Sequence, residues 1–150
     1  MILSQESLST ESGKNLPQNR TIALVALGSN RSSEQGTPAE VVEKGIAAVA
    51  KHLGVIRARS PLYQTPAFPP GSGDDYVNAV VSVDTGQAAP AVIRALHDIE
   101  AQMGRTRKKR WEARTLDLDL VALGDLVLPD AETHAQWRAL PLEEQMTTAP

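Results

Sequence analysis

The chain has 150 residues, no cysteine, three histidines and a formal net charge of −3. That is one domain's length, with a core large enough to need no staples, and it leaves neither a disulfide framework nor a thiolate metal site. Hydrophobic content of 41% and charged content of 22% are those of an ordinary globular protein, no run approaches a membrane span, and a reducing cytoplasm is the compartment expected.

Met1 to Arg20 is polar, rich in Ser, Glu, Gln and Asn, and lacks the apolar segment of a secretory signal. It is expected to be a disordered tail. Ile22 to Leu27 is a near-continuous apolar run that reads as a central strand buried on both faces, stopped by Gly28-Ser29-Asn30. Thr37-Pro38-Ala39-Glu40 then signals a helix start with a capping box and a proline at the first helical position. Val41, Val42, Ile46, Val49 and Leu53 recur at helical spacing, and Gly54 closes the helix.

A second strand is expected from about Val55 to Thr65, with Arg57 and Arg59 facing out. The Pro/Gly-rich stretch Pro66 to Asp75 follows, long for a hairpin loop and holding the chain's one phenylalanine, Phe68. Tyr76 to Thr85 is a third strand. Val77, Ala79, Val81 and Val83 form one face, and Tyr76, Asn78, Val80, Ser82 and Asp84 the other. Tyr76 beside Asn78 suits a flat polar heterocycle, by stacking plus hydrogen bonds; the bland alternative is an edge packing on the loop. Pro90 opens a second helix with the stripe Val92, Ile93, Leu96, Ile99 and Met103, ended by Gly104.

Arg105 to Asp119 carries the chemistry. Six cationic residues (Arg105, Arg107, Lys108, Lys109, Arg110, Arg114) precede Leu116-Asp117-Leu118-Asp119-Leu120. The stretch has a net charge of +3 on a chain of −3, an island that suits a local anionic ligand more than a nucleic-acid surface. Strict alternation is a strand's period, so the leucines share one face and the aspartates the other, about 7 Å apart along the strand. Carboxylates that close repel unless a cation lies between them. Mg²⁺ is commonly held by one or two carboxylates plus substrate phosphates, and adjacent arginines and lysines suit polyphosphate. A wet strand face beside a solvated loop is the plain alternative for each motif alone; together they point to a Mg²⁺-nucleotide site. An RNA-binding domain would need exposed aromatics, and aromatic content is 3%.

The order strand, helix, strand, strand, helix, strand predicts an α+β, ferredoxin-like βαββαβ fold: one antiparallel sheet with both helices on one face. Beyond Leu128 only a weak helical texture remains, at Ala135, Trp137 and Leu140. The organisation expected is a tail over 1–20, a domain over 21–128 and a weakly structured region over 129–150.

Arg110-Trp111-Glu112-Ala113-Arg114-Thr115-Leu116-Asp117-Leu118-Asp119-Leu120 resembles the signature of the 6-hydroxymethyl-7,8-dihydropterin pyrophosphokinase family. Ala26 to Asn30, Tyr63 to Pro66, Tyr76 to Ala79 and Ile99 to Arg105 agree in order and spacing. The resemblance implies transfer of pyrophosphate from ATP to the hydroxymethyl group of a reduced pterin, with release of AMP, in folate biosynthesis. It implies two Mg²⁺ ions on Asp117 and Asp119. Thr65, Pro66, Phe68, Tyr76, Asn78 and Trp111 would line the pterin pocket. Arg105 and Arg114 would hold the transferring phosphates, and Glu100, Arg107, Lys108, Arg110, Trp111 and Leu120 would lie near ATP. The partners implied are these small molecules, with no nucleic acid, membrane or obligate protein partner. Glu112-Ala113 replaces a common Gly-Pro. His134 and Arg138 do not match the spacing of the Pro-His pair and arginine with which the family continues. The expectation is therefore a chain lacking the family's C-terminal segment, and the alternative function is a truncated, non-catalytic Mg²⁺-ATP-binding module.

Overall fold

The structure, a computed structural model, describes residues 20–67, 71, 73–104 and 115–145. The expected tail, apart from Arg20, lies outside the described residues. So do Phe68, Arg105, Arg107, Lys108, Arg110, Trp111 and Arg114.

The elements run β1 (Thr21–Ser29), α1 (Pro38–Leu53), β2 (Val55–Arg59), β3 (Tyr63–Thr65), β4 (Tyr76–Thr85), α2 (Ala89–Met103), β5 (Asp117–Leu123), α3 (Ala131–Ala139) and α4 (Leu142–Gln145). The strands form one antiparallel sheet in the order β2-β4-β1-β5, and β3 also pairs with β4. With α1 and α2 on one side, this is the expected α+β, ferredoxin-like plan.

The core is the layer between that helix pair and the sheet. Val41, Val42, Ile46, Val49 and Leu53 of α1, with Val92, Leu96 and Ile99 of α2, meet Ala23, Val25 and Leu27 of β1 and Ala79, Val81 and Val83 of β4. Burying one such side chain fully contributes about 1.5–3 kcal/mol. The α1 start forms as its sequence signals: Thr37 and Glu40 make the reciprocal capping box ahead of Pro38. Gly45 lets α1 sit low on the sheet, because a β-carbon there would meet Leu116 Cδ2 at 2.8 Å. Leu116 and Leu118 are buried and Leu120 partly so, which turns Asp117 and Asp119 to the opposite, open face.

Four expectations change. First, β1 is central but buried on one face: Ile22 is 42% and Leu24 38% exposed, since no helix of the α1–α2 layer covers that side. It also continues through Gly28 to Ser29 rather than stopping at Leu27. Second, the strand expected over Val55 to Thr65 is two short strands separated by Ser60-Pro61-Leu62; proline has no N–H to give a ladder. Third, Arg57 and Arg59 both face out as expected, but not on one face. A register shift between Ile56 and Ala58 interrupts the alternation, so Arg57 reaches Asp84 of β4 and Arg59 reaches Glu43 of α1. Fourth, residues 131–139 do form a helix, capped by Asp130, whose carboxylate accepts from the Thr133 N–H. It buries no residue, which is why no apolar stripe announced it.

Candidate functional site

Strand pairing assembles the site on the open face. Gly28 of β1 lies opposite Asn78 of β4 on one side and opposite Asp117 of β5 on the other. One step down, Ala26 lies between Val80 and Asp119. Small residues on the middle strand thus leave a trough between taller neighbours. The result is a cleft of about 400 Å³ lined by Ala26, Leu27, Gly28, Tyr76, Asn78, Ala79, Val80, Asp117 and Asp119. The aromatic-carboxamide pair and the aspartate pair come from strands on opposite sides of β1, and both open into this one space.

The polar groups are held from behind. Asn78 Nδ2 donates to Thr65 Oγ1 at 2.7 Å, so β3 fixes the carboxamide. Ser29, itself buried, donates through Oγ to the Thr115 carbonyl at 2.7 Å and ties the end of β1 to the approach to β5. Glu100, near the end of α2, accepts the Leu118 N–H through Oε1 at 2.8 Å. That N–H belongs to the residue between the two aspartates, on the edge of β5 away from β1. Asn30 Nδ2 donates to the Asp74 carbonyl at 3.3 Å and joins the Pro/Gly-rich loop to the residue that follows β1.

Tyr76, Asn78, Asp117 and Asp119 are therefore brought together around one cleft. Thr65 is not among the lining residues and reaches the cleft through Asn78; Pro66 follows it at the loop start. Leu120 and Glu100 do not line the cleft, although Glu100 meets β5 at Leu118 between the aspartates. Leu120 lines a second groove of about 290 Å³ with Ile93, Val121, Leu126, Val127, Leu128 and His134. That groove lies along β5 on the far side from Tyr76. Gly28, Ala26 and Ser29 stood in the sequence only as part of the Ala26 to Asn30 motif, with no site role given them. Their signal was Gly-Ser closing an apolar strand, which reads as a stop until the register of β4 and β5 is known.

Asp117 and Asp119 offer oxygen donors to a hard cation. Among the described residues no cluster of three or more His, Asp and Glu forms a metal cage. Two carboxylates fit Mg²⁺, which usually completes its shell with water and substrate phosphate. No described helix is long and apolar enough to cross a membrane.

Comparison with known proteins covers the stretch that holds these residues. The family model for 7,8-dihydro-6-hydroxymethylpterin-pyrophosphokinase matches residues 24–146. The chain is similar to proteins named 2-amino-4-hydroxy-6-hydroxymethyldihydropteridine pyrophosphokinase from three organisms. The Pseudomonas putida protein is 40% identical over 107 residues, 71% of this chain and 85% of that protein. The Pseudomonas aeruginosa protein is 37% identical over 133 residues, 84% of this chain and 79% of that one. The Haemophilus influenzae protein is 33% identical over 107 residues, 71% of this chain, and the match spans 64% of that protein's length. The chain belongs to the 7,8-dihydro-6-hydroxymethylpterin-pyrophosphokinase family of enzymes.

Proposed function

We propose that this protein transfers pyrophosphate from ATP to the hydroxymethyl group of 6-hydroxymethyl-7,8-dihydropterin. The observation that carries this reading is the shared cleft: Tyr76 and Asn78 open into the same space as Asp117 and Asp119. A flat polar heterocycle stacks on Tyr76 and hydrogen-bonds to Asn78, which brings its hydroxymethyl group toward β5. The nucleotide approaches from the other side, its base along the groove of Ile93 and Leu120 and its phosphates toward the aspartates. The hydroxymethyl oxygen bonds to the β-phosphorus of ATP, the bridge from the α-phosphate breaks, AMP leaves and the hydroxyl proton is given up.

Two Mg²⁺ ions on Asp117 and Asp119 would neutralise charge on the transferred group. The chain's own task is positioning, since transfer of this kind needs alignment and charge compensation more than a covalent intermediate. Glu100 and Ser29 hold the strand that bears the aspartates, and Thr65 holds Asn78. Arg105 and Arg114 are proposed for the transferring phosphates, with Arg107, Lys108, Arg110 and Trp111 near the nucleotide and Phe68 and Trp111 over the pterin; their positions lie outside the described residues.

Incubation with ATP, Mg²⁺ and the hydroxymethyl dihydropterin tests the proposal. AMP should appear in step with pterin consumed and depend on all three components. ADP as product, or AMP formed without the pterin, would sink it.

A further inference from the structure

Gly28 stands where the two halves of the cleft meet. The register sets Asn78 on one side of it and Asp117 on the other. A β-carbon built there would lie 2.9 Å from Asn78 Oδ1, closer than such atoms approach, and 3.8 Å from Tyr76 Cδ1. Gly28 has no left-handed backbone angle, so the demand for glycine is steric rather than conformational. Asn78 does not yield freely, because its Nδ2 is bonded to Thr65 Oγ1 at 2.7 Å. Turning the carboxamide to clear a methyl group stretches that bond.

We propose that Gly28 is a positioning and specificity residue of the heterocycle site. Its missing side chain lets the Asn78 carboxamide lie over β1, with Nδ2 on Thr65 and Oδ1 presented as an acceptor. The group taken up there is accordingly a planar heterocycle whose edge donates, through an amino or ring N–H. The bare backbone also keeps the passage open from the Asn78 side to the Asp117 side, along which the hydroxymethyl arm extends. This inference rests on the pterin reading above and adds a residue to it.

Gly28→Ala is the test, by calorimetric titration with the hydroxymethyl dihydropterin and, separately, with Mg²⁺-ATP, alongside a thermal melt. Leaving the ligand's donor edge unpaired should lower pterin affinity about tenfold or more. Mg²⁺-ATP affinity should stay within about twofold. The same substitution made on Asn78→Ala should add less than about twofold, because the atom it would strike is gone. A strand that is merely weakened would not produce that non-additivity. Equal losses for both ligands, no loss for either, or full additivity with Asn78→Ala would each overturn the inference. A Gly28→Ala chain that unfolds alone but folds with Asn78→Ala supports the collision; one that unfolds in both settings places the constraint in the sheet and overturns it. Failure of the unaltered protein to bind the pterin counts against the proposed function. Pterin binding that is lost in Asn78→Ala but kept in Gly28→Ala removes only the inference.

Discussion

Two ends of the same sheet face carry aspartates with opposite surroundings. Asp84, at one end of β4, is largely buried between two arginines. Arg20 Nε lies 2.7 Å from Oδ1, Arg20 Nη2 donates to the Asp84 carbonyl at 2.9 Å, and Arg57 reaches Oδ2. The Arg57 guanidinium, and then that of Arg20, hold the Asp84 carboxyl below the usual carboxylate range. This cluster ties the start of β1 and the middle of β2 to β4. At the other end, Asp117 and Asp119 open into a cleft beside an aromatic ring and a carboxamide. Residue type and face are the same; the neighbours decide between a strand clamp and the proposed metal site. A carboxylate already surrounded by fixed cations has little left to offer a metal, whereas one that faces a cavity can exchange water for a ligand.

Breaking the cleft end should have the largest effect. Asp117→Ala or Asp119→Ala should cut Mg²⁺-dependent AMP release by at least about a hundredfold, the scale of losing one positioned group that stabilises developing charge. For Asp119→Ala the melting temperature should hold or rise, because a repelling neighbour is removed from a strand whose anchors are the leucines opposite. Unchanged turnover in the double variant would remove these carboxylates from the metal site.

A finer cut separates support from contact. Glu100→Ala should raise the Mg²⁺ concentration for half-maximal turnover about tenfold, as for other residues that orient metal ligands. Glu100→Gln keeps an acceptor for the Leu118 N–H and should raise it less. If instead both variants raise the ATP requirement alike and leave the Mg²⁺ dependence alone, Glu100 serves the nucleotide directly.

At the clamp end the effect should fall on stability and leave chemistry intact. Asp84→Asn should lower the melting temperature at neutral pH with AMP release per folded molecule unchanged. The sign follows from a folded pKa below the unfolded one. Ionised Asp84 contributes stability above the ordinary carboxylate pKa of about 4, and that contribution is lost as pH falls through the lower folded value. The gap between variant and parent melts should therefore be widest near neutrality and close as the solution is acidified. A gap constant down to strong acid would mean that shape, not charge, holds this end.

Much of the fold could be read from local pattern. The capping box at Thr37 and Glu40, the α1 stripe and the alternation from Leu116 to Leu120 all reappear in the structure, because each depends on neighbours within one turn or one strand step. The pairing of Tyr76 with Asn78 on one face was equally legible from a period of two. Local pattern failed where a single residue broke the period. Pro61 splits the expected second strand, and the shift at Ile56–Ala58 sends Arg57 and Arg59 to different sides.

The amino-acid order by itself determined which residues could do the chemistry: two oxygen donors on one strand face, an aromatic and a carboxamide on another, and a basic stretch between α2 and β5. Only tertiary structure decided that these faces meet, and over which residue. Arg20 and Asp84 are 64 positions apart, and Glu100 and Leu118 are 18 apart. Gly28 becomes the junction only once β1 is inserted between β4 and β5 in one register. The reason is physical: side-chain alternation is written along each strand, but the register between strands is chosen by packing the whole apolar face against α1 and α2 at once.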